Sequence, residues 1–229
     1  MNDIFSEYLT KRFSEMNLEK LKRHPGPVIT ISRVAGCSAQ DIAKLLAKKL
    51  NNDKTENKWE VISKEILHSS AEKLRLHPDK IQTVFIAKHH NFFEDLAKTF
   101  LSSDYNLEYK MRKTVVNVIH RFAVDGYKII IGRASNIVCS DIPSSLHVRI
   151  DASIDWQIEQ IMQLKNLSKN EALEYVKVTD NNRESFRKLI KGDNKKKDNF
   201  DLTINHERFT DEEIVELIVR AAEIKKMLK

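Results

Sequence analysis

Five short apolar runs most constrain what this chain can fold into: Val28–Ser32 (VITIS), Trp59–Ile62 (WEVI), Lys128–Ile131 (KIII), Leu146–Ile150 (LHVRI) and Phe200–Asn205 (FDLTIN). Each is too short to be a helix of its own, and most are rich in β-branched residues. The segments between them carry helical spacing. Strands that alternate with helices form a parallel sheet whose two faces both need covering. The expected fold is therefore α/β and three-layered, a five-stranded parallel sheet with helices on both faces. In such sheets, ligands sit beyond the carboxyl ends of the strands.

Helical periodicity organises the rest. Ile42, Leu45, Leu46 and Leu50 share one face of a helix at 38–50, and Val115, Val116, Ile119 and Phe122 share one face of a helix at 105–124 closed by Gly126. Two more helices are expected at 153–165 and 168–190, the second opened by Ser168 with Glu171 three residues on, a capping box. A last helix is expected at 210–228. An amphipathic helix at 2–22 aligns Ile4, Phe5, Tyr8, Leu9, Phe13 and Met16, and ends at HPGP, where Pro25 and Pro27 oppose continuation. The chain so divides into an N-terminal helix, 1–24, and a single domain, 25–229, with helical insertions at 63–124 and 153–198.

Composition narrows the function classes. A 41% hydrophobic content supports a real core, and only 5 Gly and 4 Pro in 229 residues suit a helix-rich chain. No apolar run reaches the ~18 residues of a membrane span. Charges throughout MNDIFSEYLTKRF argue against a signal peptide. Cys37 and Cys139 give no disulfide framework and point to a reducing, cytoplasmic setting. The net charge of +6 favours anionic partners. Lys110, Arg112, Lys113 and Arg121 lie on one helix without interleaved aromatics or a nucleic-acid motif, so a nucleic-acid partner is not expected. The histidines show no metal-ligand spacing with carboxylates or cysteines, and no metal ligand is assigned.

The segment ISRVAGCSAQ, residues 31–40, joins the first strand to the first helix in the layout of a phosphate-binding loop. Such a loop uses glycines so that backbone N–H groups converge on the anion, and a lysine for the terminal phosphates. This one has a single glycine, Gly36, followed by Cys37, Ser38, Ala39 and Gln40, and it has no lysine. The helix start offers free N–H groups and a dipole, which Asp41 in the first turn partly opposes. Cations stand at two strand ends, Ser32–Arg33 and Gly132–Arg133. Each suits phosphate, because a guanidinium binds two oxygens at once, and each also reads as a surface arginine paired to a carboxylate. Asp180 and Arg183 are three apart on a helix, with Arg187 one turn further; as a plain i,i+3 pair the first two are worth only a few tenths of a kcal/mol.

Six stretches, in order, carry a resemblance: ITISRVAGCSAQDIAKLLAKKL, VISKEIL, IIIGRASNIV, SSLHVRIDAS, IMQLKNLSKNEALEYVKVTDNNRESF and FDLTINHERFTDEEIVELI. Together they resemble the cytidylate kinase-like family of P-loop nucleoside monophosphate kinases. The resemblance implies a P-loop NTPase-like fold with a nucleoside monophosphate-binding insertion at 63–124 and a lid at 153–198. It implies ATP and a monophosphate such as CMP as partners, Mg²⁺ as cofactor, and phosphoryl transfer between the two nucleotides. It makes Arg133, Arg183 and Asp180 the catalytic candidates. Arg33, Gly36, Cys37, Ser38, Ala39, Gln40, Lys64, Gly132 and Arg187 become candidates for nucleotide or phosphate contact.

The chain also departs from the family pattern. Relatives often read GSGGR where this chain reads Gly36–Gln40, an acidic residue where it has Asn136, Asp where it has Ser63, and arginines near Gln157 and Gln160. Three readings follow: a divergent or weak kinase, a binder of a nucleotide or another phosphorylated ligand without catalysis, and an interaction scaffold whose N-terminal helix pairs two copies.

Overall fold

The computed structural model describes residues 26–51, 57–62, 116–191 and 199–228. The expected N-terminal helix, the insertion up to residue 115 with Ser63 and Lys64, and the basic loop at 192–198 lie outside the described residues. The elements run β1 (Val28–Arg33), α1 (Ala39–Leu50), β2 (Glu60–Ile62), α2 (116–125), β3 (Lys128–Ile131), α3 (Ser135–Val138), β4 (Ser145–Asp151), α4 (Ile154–Lys165), α5 (Lys169–Lys191), β5 (Leu202–Asn205) and α6 (Asp211–Ile224). All strands are parallel, in the order β2-β3-β1-β4-β5, with Val28 level with Lys128 on one side and Ser145 on the other.

Side-chain alternation builds a core on each face. Ile29, Ile31, Ile129, Ile131, Leu146, Val148, Ile150 and Ile204 point one way and pack with Ile42 and Leu46 of α1 and Ile214 and Ile218 of α6. Val28, Ile62 and Ile130 point the other way, onto Ile119 and Phe122 of α2 and Phe186, Leu189 and Ile190 of α5. Each fully buried Ile or Leu is worth about 1.5–3 kcal/mol, well above the few tenths that local propensity contributes per residue. Burial on both faces therefore decides the sheet.

Polar residues interrupt the second face in one place. Thr30 Oγ1 lies 2.9 Å from His147 Nδ1, and Ser145 Oγ lies 3.2 Å from His147 Nε2. Burial lowers the His147 pKa, so the ring is neutral, with one nitrogen donating and the other accepting. The starts of β1 and β3 are locked by a crossing of two glycines: a Cβ on Gly126 would lie 2.4 Å from the Cα of Gly26.

Among the described residues, the expected strands and helices form with small shifts at their ends. β2 begins at Glu60 because Trp59 is held before it, its N–H donating to Asn51 Oδ1 at 2.7 Å. The last helix stops at Ile224 rather than 228; Lys226 turns left-handed and Met227 folds back into the core, its N–H donating to the Ala222 carbonyl. The short α3 was not legible from periodicity. No helix among the described residues is long and apolar enough to cross a membrane.

The connections fix where a ligand can enter. The chain leaves β1 for the edge strand β2, returns beside β1 as β3, then crosses to its other side as β4. The winding reverses at β1, so the crevice of this sheet opens at its carboxyl end. Residues 33–38 and 132–135 border that crevice.

Candidate functional site

Arg33 is the last residue of β1, and its guanidinium comes up against Gly132 at the end of β3, Nη1 foremost. A Cβ at Gly132 would sit 2.3 Å from Arg33 Nη1. Gly132, Arg133 and Ala134 all adopt left-handed backbone, at φ 65°, 56° and 54°. For the two non-glycine residues this costs roughly 1–2 kcal/mol each. The sharp turn holds the Arg133 guanidinium 5.6 Å from the Phe186 ring of α5, close enough to Arg33 for the two charges to repel. Arg183 of α5 completes the group: its Nη1 donates to the Arg33 carbonyl at 3.2 Å and to Asp180 Oδ1 at 3.1 Å.

Arg183 thus bonds Asp180, whose charge also reaches Arg33, while Arg133 repels Arg33. Burial, then the charges of Arg183 and Arg133, push the Arg33 pKa down to about 9, which leaves it charged at neutral pH. Burial also lowers Arg183 and raises Asp180, the latter against the pull of Arg183. These four side chains carry a net positive charge in a poorly hydrated place, the setting in which an anion is held most strongly.

The loop after β1 is largely taken up by the protein itself. The Val34 N–H donates to the Ile150 carbonyl at 3.2 Å, and the Ala35 N–H to Asp180 Oδ1 at 3.0 Å. The Ala35 methyl is buried in a small core with Ile158 and Ile161 of α4 and Ala172 and Val176 of α5. Gly36, at φ 81°, rests on α4: a Cβ there would lie 3.2 Å from Gln160 Cβ and 3.3 Å from the Gln157 carbonyl oxygen. Ser38 Oγ lies 2.7 and 2.9 Å from the two carboxylate oxygens of Asp211, whose Oδ1 is also 2.8 Å from His206 Nε2. Burial drives Cys37 up to about 12, so it is an uncharged thiol and not a nucleophile.

The structure brings together Arg33, Gly132, Arg133, Asp180 and Arg183, with Cys37 in electrostatic reach. It places Gln40 on the exposed side of α1, Ala39 in the core beneath, and Ser38 toward Asp211. Arg187 is occupied by Glu184, at 4.0 Å, and by the Phe200 ring at 5.5 Å. Arg33 is not a surface arginine paired to a carboxylate; its charged neighbours are mainly arginines. The capping boxes at Ser168–Glu171 and Thr210–Glu213 both form.

Sequence reasoning missed Asp211 and His206, although the Thr210–Glu213 capping box would have placed Asp211 in the first turn of α6. It also missed that Ser135 and Asn136 are buried, with Ser135 Oγ and both amide atoms of Asn136 lacking a hydrogen-bond partner among the described residues. The described residues form no all-protein cage for Mg²⁺, and an ion at this loop would depend on substrate phosphates. The Ser38 hydroxyl is already bonded to Asp211, and among the described residues no three acidic, His or Cys side chains converge.

A parallel sheet in this order, with a turn-and-helix loop after β1, is an α/β fold consistent with that of P-loop kinases. More particularly, the chain belongs to the cytidylate kinase-like family, whose sequence profile matches residues 28–208. No curated protein matches the chain. An uncharacterized protein from Eubacterium ventriosum shares the fold, at 18% identity over 86% of this chain and 98% of its own, with a TM-score of 0.58. The protein TT1252 from Thermus thermophilus is a more distant likeness, at 12% identity over 88% of this chain and 98% of its own, with a TM-score of 0.41.

Proposed function

We propose that this chain is a nucleoside monophosphate kinase of low turnover, moving the γ-phosphoryl of ATP to CMP or a related monophosphate. One observation carries the reading: Arg33, Arg133 and Arg183, from three separate parts of the chain, converge near Asp180 at the carboxyl end of β1. A phosphate monoester brings about two negative charges and planar arrays of oxygens, which arginine forks match. Arg133 clamps the acceptor phosphate with Arg33 beside it, while Arg183 neutralises charge on the transferring group. Catalysis of this kind rests on positioning and charge neutralisation. The donor sits on residues 34–40 under α4 and α5, and Mg²⁺ arrives with its phosphates. A missing lysine-type contact on the transferring phosphoryl costs ~3 kcal/mol, about a hundredfold in rate.

A second reading, binding without turnover, is favoured by the Ala35 amide, which is already bonded to Asp180. Calorimetric titration of the full chain with CMP and with MgATP, followed by a product assay on the same sample, separates the two. Slow formation of CDP that vanishes in Arg133→Ala supports the kinase. CMP binding without a diphosphate leaves the second reading, and binding of neither nucleotide refutes both.

A further inference from the structure

The donor loop already holds an anion of its own. Asp180 Oδ1 accepts from the Ala35 amide at 3.0 Å and from Arg183 Nη1 at 3.1 Å, one backbone and one charged donor. A phosphate oxygen bound at this loop would call on the same kinds of group. The loop that receives the carboxylate is also fastened down. Ala35 is 1% exposed and packs with Ile158, Ile161, Ala172 and Val176, and Gly36 lies directly on the backbone of α4 at Gln157.

We propose that Asp180 is a displaceable internal occupant of the donor loop, standing where a phosphate oxygen of ATP would bind, and that its bond to the Ala35 amide is given up when ATP takes its place. The contact is autoinhibitory: it closes the loop in the free protein and must be given up for the donor to enter. Two features make it displaceable. Burial pushes the Asp180 pKa up, so the carboxylate is held in a place that disfavours its charge. The core that fastens the segment is small, with alanines at two of its five buried positions. The inference rests on the reading of residues 34–40 as the donor side of the site.

The experiment uses the full chain, with MgATP and CMP titrated separately by calorimetry into wild type, Asp180→Asn and Asp151→Asn. Asn keeps an oxygen for the Ala35 amide but removes the competing charge. Asp151 supplies the control, being a carboxylate within electrostatic reach of the loop that bonds Arg149 and the Ala152 N–H instead of the Ala35 amide. Asp180→Asn is expected to bind MgATP about tenfold or more tightly than wild type, and Asp151→Asn within about twofold of it. An unchanged MgATP affinity in Asp180→Asn, or an equal gain in both variants, overturns the inference while leaving the kinase reading in place. MgATP binding to none of the three overturns the donor reading and the inference together, and the CMP titration reports separately on the arginine cluster.

Should Asp180→Asn not fold, the Ala35 amide resonance of wild-type protein supplies the answer. It is expected to move on saturation with MgATP, as its acceptor changes from carboxylate to phosphate. An Ala35 resonance that stays in place while MgATP binds overturns the inference.

Discussion

Gly132→Ala should uncouple ligand binding from stability. The alanine would have to hold φ near 65°, which costs ~1 kcal/mol for a residue with a Cβ. The new Cβ would stand 2.3 Å from Arg33 Nη1 and 3.4 Å from its Cζ, so the guanidinium must retreat by roughly 1 Å to reach van der Waals contact. The tip of a long side chain can make that move, and the fold loses little beyond the backbone term. A fall of about 2–4 °C in melting temperature is expected for a domain of this size. The site loses more. Arg33 no longer faces the acceptor phosphate squarely, and a charge-assisted contact of about 1.5–3 kcal/mol weakens, so CMP should bind roughly 10- to 100-fold less tightly. Calorimetric titration with CMP and a thermal melt on the same preparation measure both quantities. Gly126→Ala is the control, because its Cβ would meet the backbone of Gly26 at 2.4 and 2.9 Å, where nothing flexible can yield. That variant should lose ~3 kcal/mol of stability and keep its CMP affinity below the melting transition. A folded Gly132→Ala that binds CMP within about twofold of wild type would refute the placement of Arg33 in the site.

Two further outcomes are expected. His147 is neutral in the folded protein because burial, only partly offset by Asp201, lowers its pKa from the ordinary 6.5. Its contribution to stability is therefore fully present above pH 6.5 and is lost as pH falls through the window below that value, where the unfolded chain takes up a proton first. Denaturant midpoints between pH 7.5 and 5.5 should fall more steeply in wild type than in His147→Gln; equal slopes would contradict this. Gln157→Arg, which adds a positive charge beside the donor loop, should destabilise the protein by about 3 kcal/mol rather than improve donor binding. Gln157 is only 5% exposed, its amide donates to the Ala152 carbonyl, and Arg33 and Arg183 already crowd the crevice; an unchanged melting temperature would count against this account.

How much of this was legible in the sequence follows from the range of the forces involved. The sheet was readable because Val28–Ser32, Lys128–Ile131 and Leu146–Ile150 are buried on both faces, and burial writes itself into consecutive residues. Arg33, Arg133 and Arg183 were readable as cations at strand ends and on a helix, but their mutual proximity comes from the return of β3 beside β1 and from the packing of α5, neither of which a local pattern encodes. The left-handed run at Arg133 and Ala134 had no signal either, since only Gly132 among the three advertises positive φ. Ser38 shows the opposite failure. A hydroxyl at a helix start suggested phosphate, whereas a carboxylate 173 residues later in the chain claims it.

The burial of Ala35 and the docking of α4 and α5 are physically one arrangement. A loop that cradles phosphate needs bare backbone, and any side chain there either points into the anion or finds another place to bury. Ala35 takes the second course: its methyl joins Ile158, Ile161, Ala172 and Val176, and its N–H, which would otherwise face an anion, is met by Asp180 from the same helix pair. Gly36 stays glycine for a reason unrelated to phosphate, because a Cβ would press on α4. Loop and helices therefore stabilise each other in the closed arrangement, and donor affinity trades against that packing. Of the arginine cluster, Arg183 belongs to α5 and shares in the trade, but the other two stand outside it. Arg33 and Arg133 are set by strand ends and by a strained turn that persists whether or not α4 and α5 move, so the acceptor half can stay preorganised while the donor half must be opened first.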